Sequence, residues 1–105
     1  MEAKIKGLGE IALRVNDLDV MQKFYEHIIG LELMSRSEKS VFFRIAGGFG
    51  GHTRVLALFD RSSQAGYVGL CAEKSTIDHV AFEISLGDLE SEKKRLEGSM
   101  MRRVG

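Results

Sequence analysis

Two side chains able to bind metal open matching stretches of this 105-residue sequence. Glu10 does so in Gly-Glu-Ile-Ala-Leu-Arg-Val at 9–15, and His79 in Asp-His-Val-Ala-Phe-Glu-Ile at 78–84. The apolar positions behind them coincide: Ile11 with Val80, Leu13 with Phe82, Val15 with Ile84, and Ala12 with Ala81. Carboxylate and imidazole are both ligands for divalent first-row cations. A strand repeated in this way predicts two similar half-units with a site where they meet.

The elements that must position those residues follow from hydrophobic period. Residues 8–15 alternate as a strand, with Ile11, Leu13 and Val15 on one face and Glu10, Ala12 and Arg14 on the other. Asn16 or Asp17 supplies an N-cap oxygen, and Asp19 suits the first helical turn. The period then becomes helical, with Leu18, Met21, Tyr25 and Ile28 on one stripe, Phe24 beside it, and Gly30 as the C′ residue. Strands are expected over 31–35, 41–45 and 53–59. The turn at 37–40 joins the first two, and the glycine-rich loop at 47–51 joins the last two. That loop lacks the Lys-Ser/Thr ending of a phosphate-binding loop and reads as a hairpin or lid.

Residues 61–75 are polar and glycine-containing, a link between half-units. Behind them the pattern predicts a strand over 76–84 and a helix from Leu86 to about Leu96. Ser85 and Asp88 are spaced as a capping box, Glu90 and Lys94 as an i, i+4 pair, and Gly98 as a stop. The tail at 99–105 shows no strand alternation and is expected to be irregular. The fold class is α+β: a βαβββ module over 1–60, the linker at 61–75, a partial second module (βα) over 76–98, and the tail, all within one domain.

Composition narrows the function classes. Fifteen basic residues balance fifteen acidic ones, so there is no footprint for nucleic acid, and Lys93-Lys94-Arg95 reads as a solvated helix face. Cys71 is the single cysteine, which rules out an intrachain disulfide and a thiol cluster for zinc. Nothing in its neighbourhood argues for a lowered thiol pKa. The first residues lack the apolar core of a secretory signal, and no apolar run approaches the ~20 residues of a membrane span. A cytoplasmic protein is the expectation.

The βαβββ layout, with Phe24-Tyr25 followed by Ile28-Ile29-Gly30-Leu31-Glu32-Leu33, resembles the vicinal oxygen chelate superfamily. That superfamily includes glyoxalase I, the bleomycin-resistance proteins and the extradiol dioxygenases. Glu-Ile-Ala-Leu-Arg-Val-Asn-Asp-Leu at 10–18 and Ile-Asp-His-Val-Ala-Phe at 77–82 carry the resemblance most specifically, and it spans residues 8–97. It implies two modules whose sheets curl around one cleft, with metal ligands on the first strand of each module and on a last strand. Glu10 and His79 occupy the first-strand positions. Ala57 stands where glyoxalase I has a last-strand carboxylate, and the second module stops before its closing strands.

The implied cofactor is a divalent metal (Fe, Mn, Ni or Zn) that leaves positions open for two neighbouring substrate oxygens, stabilising an enolate or activating dioxygen. Arg14 and Glu83 share the ligand face and become substrate-binding candidates, Arg14 as the anchor of an anionic group. The resemblance thus implies a metal-dependent lyase, isomerase or dioxygenase acting on a small molecule with vicinal oxygens. The alternatives are a drug-sequestering binding module without chemistry and an inactive, truncated product. An unpaired edge in the second sheet predicts a homodimer in which modules of two chains complete one another. The plainer readings make Glu10 a rim carboxylate paired with Arg14 or a lysine, His79 a hydrogen-bonded strand histidine and His52 a surface residue. Phe42, Phe43, Phe49 and Phe59 could line an apolar pocket, with core packing the plainer expectation.

Overall fold

A computed structural model describes residues 3–61 and 80–104, with 99–104 described as backbone. The chain divides into two compact units, Met1–Gly69 and Leu70–Gly105. In the first, four strands form one sheet: β1 (Glu10–Val15), β2 (Glu32–Arg36), β3 (Ser40–Gly47) and β4 (Thr53–Asp60). Their spatial order is β1-β4-β3-β2, with β1 parallel to β4 and the other two pairings antiparallel. The expected βαβββ module is therefore present.

Alternation along each strand sorts its side chains between two faces. Ile11 and Leu13 pair with Leu56 and Leu58, these with Phe43 and Val41, and Phe43 with Leu33. Val41, Phe43, Leu56 and Leu58 are fully buried, and each stabilises the fold by about 1.5–3 kcal/mol relative to exposure. Helix α1 (Leu18–Lys23) and the π-helical turn that continues it (Phe24–Ile29) cover this face, burying Leu18 and Ile28. The Tyr25 and Phe43 rings meet at 6.0 Å between centroids.

The helix begins and ends as its sequence predicts, but its second half differs. Asp17 is the N-cap, its carboxylate accepting the Val20 N–H at 3.1 Å. Gly30 closes the element in the left-handed region, φ 92°. Between them the chain widens into π geometry, and the amides of Gly30 and Leu31 both donate to the Tyr25 carbonyl, at 3.0 and 2.9 Å. The apolar stripe survives the wider turn, which is why its period did not reveal it. Arg36 ties this helix to the sheet edge, reaching Asp19 at 3.0 Å and Gln22 at 2.8 Å.

The 47–51 loop is a hairpin connection containing a short 3₁₀ turn, Phe49–Gly51. Gly50 and Gly51 take φ of 65° and 83°, a backbone that glycine adopts without strain. The expected core of four phenylalanines splits. Phe43 is buried under the helix, Phe42 and Phe59 lie half-buried on the opposite face, and Phe49 is exposed on the hairpin.

In the second unit, a 3₁₀ turn (Leu86–Asp88) leads into helix α2 (Leu89–Val104). Four expectations change here. Residues 80–84 form no strand ladder among the described residues, and 76–79 lie outside them, as do 62–75 of the linker. Alternation is a necessary condition for a strand but not a sufficient one, since the ladder needs a partner at the right distance. Next, α2 runs through Gly98 to Val104 in place of an irregular tail. A mid-helix glycine costs about 1 kcal/mol, and the Met and Arg residues behind it propagate the helix well. Finally, Ser85 makes no side-chain cap; its hydroxyl donates to the Asp88 carboxylate at 2.6 Å. The salt bridge on α2 among the described residues joins Glu92 to Arg95 at 2.7 Å, rather than Glu90 to Lys94.

Candidate functional site

Among the described residues no helix of the first unit covers the other side of the sheet, the open face, and strand register arranges it as three rungs. The first is Glu10–Val55–Arg44–Glu32, the second Ala12–Ala57–Phe42–Ser35, and the third Arg14–Phe59–Ser40. Central position in the sheet leaves Ala57 with no exposed surface, while Ala12 on the edge strand is open. Two alanines stand side by side between the Glu10 and Arg14 rungs, a low floor whose exposed part is Ala12. Phe42 and Phe59, diagonal neighbours across β3 and β4, pack edge to face with 5.9 Å between centroids and wall one side of it.

Glu10 and Arg14 are both exposed on this face, as alternation predicts. No ion pair joins them among the described residues, so the reading of Glu10 as a carboxylate paired with Arg14 is not what the structure shows. Among the described residues Arg14 has no ion-pair partner, and its guanidinium fork stands in register with Phe59, a combination suited to a carboxylate attached to an apolar body. Glu83 is exposed, but it sits in the stretch without a ladder, so strand alternation no longer assigns it a face. His79 lies outside the described residues. His52 is exposed, in line with a surface residue. Sequence reasoning allows Phe42 and Phe59 a pocket but favours the core; Val41-Phe42-Phe43 already puts Phe42 on the face opposite its neighbours, because side chains alternate along a strand.

A metal ion finds few donors among the described residues. On β1 and β4, which flank the alanine floor, Glu10 is the single ligand-type side chain, because β4 contributes Val55, Ala57 and Phe59. Glu32 shares the face only from the far edge strand. No group of three His, Cys, Asp or Glu side chains converges among the described residues. One carboxylate does not make a site that commonly needs about three protein ligands. The described donor set does not fit a metal centre by itself.

The fold defines a class: an α+β module with a mixed four-stranded sheet, one side of it covered by a helix. The sequence model of the Glyoxalase/Bleomycin resistance protein/Dioxygenase superfamily matches residues 7–100, and the chain belongs to that superfamily. Its fold is similar to an integron cassette protein from the mobile metagenome of the Halifax Harbour sewage outfall. That protein is 25% identical, with TM-score 0.65 over 90% of this chain and 72% of that one. A glyoxylase/bleomycin resistance protein/dioxygenase domain from Frankia sp. EAN1pec is 26% identical, with TM-score 0.53 over 91% and 75% of the two chains. Lactoylglutathione lyase from Agrobacterium tumefaciens shares the fold at 23% identity, with TM-score 0.60 over 93% and 73%. No curated protein matches the chain. No helix among the described residues is long and apolar enough to cross a membrane.

Proposed function

We propose that the chain is a small-molecule-binding member of the superfamily. It holds an anionic ligand with vicinal oxygens on the open sheet face, without a metal held by the first module alone. The observation that carries this reading is Ala57, fully buried and paired with Ala12, at the position where relatives such as glyoxalase I carry a last-strand carboxylate. Arg14 takes the ligand's anionic group, Phe42 and Phe59 flank its apolar body, and Ala12 leaves room for it on the edge strand. Such a site sequesters its ligand rather than transforming it.

A second reading is favoured by Glu10, which is exposed on the same face as Arg14 and without an ion-pair partner among the described residues. Here Glu10 and His79 are metal ligands, Arg14 and Glu83 contact substrate, and the protein is a metal-dependent lyase, isomerase or dioxygenase. In either case β1 is an edge strand of the described sheet, which supports assembly as a homodimer through strand pairing. Light scattering that shows a monomer at low micromolar concentration overturns that assembly.

Protocatechuate, an anion with two vicinal oxygens, separates the two readings. The binding module takes it up as metal-free protein, and Arg14→Ala weakens binding about tenfold or more, the loss expected for a charged hydrogen bond. Metal analysis that finds one Fe, Mn, Ni or Zn per chain, lost in Glu10→Ala and in His79→Ala and required for uptake, replaces the first reading with the second.

A further inference from the structure

A separate cleft of about 200 Å³ lies at the end of the sheet where β1 and β4 begin. The segment before β1 lines it with Lys6 and Leu8, and the β3–β4 hairpin lines it with Phe49, His52 and Arg54. Arg54 precedes Val55, so alternation turns it toward the side of Leu56 and Leu58, away from Ala12, Arg14 and Ala57. The cleft and the open-face site therefore use opposite sides of the sheet.

Its chemistry is cationic at one part and apolar at another. No acidic residue lines it, and among the described residues none of the Lys6, His52 and Arg54 side chains is paired with a carboxylate. Gly7, at φ 149°, lets the Arg54 guanidinium lie against the chain; a Cβ there would come within 3.0 Å of Nη2. Lys6 Nζ stands 5.3 Å from the centroid of the Phe49 ring, a cation–π contact that holds the ammonium at the cleft. Leu8 and Phe49 are 69% and 66% exposed, large apolar surfaces left uncovered beside these cations. Unpaired cations next to bare apolar side chains match a ligand with an anionic head on an apolar body. About 150 Å³ already accommodates a benzene ring.

We propose that this cleft binds a small aryl carboxylate, with its carboxylate on the Arg54 guanidinium and the Lys6 ammonium and its ring against Leu8 and Phe49. Benzoate is the probe, titrated into ¹⁵N-labelled full-length protein and followed by amide chemical shifts. Saturable shifts are expected at Gly7, Gly9, Gly48 and Phe49. Benzyl alcohol, the neutral counterpart, binds at least about tenfold more weakly, and Arg54→Gln loses affinity by a similar factor. Phe49→Ala, at an exposed position, lowers affinity several-fold while the spectrum stays folded. Should Arg54→Gln fail to fold, Lys6→Gln carries the charge test, with about a threefold loss. Shifts that centre on Ala12 and Ala57 overturn the proposal, because benzoate then occupies the open face. So do a titration without saturation and an affinity indifferent to Arg54 and Lys6. Protocatechuate is itself an aryl carboxylate, so the variants assign the sites: binding lost in Arg14→Ala reports the open face, and binding lost in Arg54→Gln reports this cleft.

Discussion

The covered and open faces of the four-stranded sheet are written by the same residues' neighbours, yet they do different work. On the covered face, Val41, Phe43, Leu56 and Leu58 lie without exposed surface beneath a helix. On the open face, one residue further along each strand, stand Phe42, Ala57 and Phe59, with Glu10 and Arg14 at the edge. The open face carries small side chains, Ala12 and Ala57, beside the rings of Phe42 and Phe59, and among the described residues no ion pair joins its Glu10 and Arg14. The comparison teaches that stability and function are separated by the pleat, so substitutions two residues apart act on one property and substitutions one residue apart switch between them.

The largest effect tests the covered face. Phe43→Ala removes a fully buried ring that the Tyr25 ring leans on, and such truncations cost about 3–5 kcal/mol. Urea denaturation is expected to show a chain at or past the edge of folding. A loss below about 1 kcal/mol would mean that the helix does not close this face. Next comes the helix itself. Asp17→Ala removes the carboxylate that accepts the Val20 amide and is expected to cost about 1 kcal/mol, with Asp17→Asn retaining most of the stability. Equal losses in both variants would show that the cap acts through its charge rather than its hydrogen bond.

The open face responds more gently. A double-mutant cycle on Phe42→Ala and Phe59→Ala is expected to give a coupling of about 0.5–1.5 kcal/mol from their edge-to-face contact. Each single variant should also weaken protocatechuate binding. Truncations here as costly as Phe43→Ala would erase the distinction between the two faces.

Much of this was legible in the chain. Period-2 alternation located the four strands to within a residue or two and separated Glu10 and Arg14 from the covered face, because strand sidedness is a local property. Asp17 and Gly30 marked the helix ends for the same reason: capping and the left-handed turn act within a few residues. What escaped detection depends on distant partners or on geometry that leaves the pattern intact. The π turn at Phe24–Ile29 keeps the same stripe on the sheet, so hydrophobic period cannot distinguish it from an α-helix. Residues 80–84 echo 11–15 in type, but a ladder forms only where another strand offers its backbone. Gly98 resembled a stop, yet a glycine ends a helix by turning left-handed, which its identity permits without compelling. Of the Glu10 and His79 pair, the structure describes the position of Glu10 alone, and Ala57 supplies no donor on β4.

The smallest expected effect is confined to alkaline solution and concerns the ring between helix and sheet. Burial raises the Tyr25 hydroxyl above the ordinary phenol value of about 10, because the charged phenolate is poorly solvated there. A raised acid holds its proton more firmly in the folded chain than in the unfolded one. Its contribution is therefore complete below the unfolded value and is lost as pH rises through the folded one. Tyr25→Phe has no proton to lose, so its stability should fall less steeply between about pH 8 and about pH 11. Lysine titrations affect both proteins alike, which makes the difference between their urea midpoints the informative quantity. A gap that widens toward high pH in favour of the phenylalanine variant places Tyr25 in the covered layer. A gap that stays constant across the range would mean that the hydroxyl reaches water in the folded chain, and that the roof over this face ends short of residue 25.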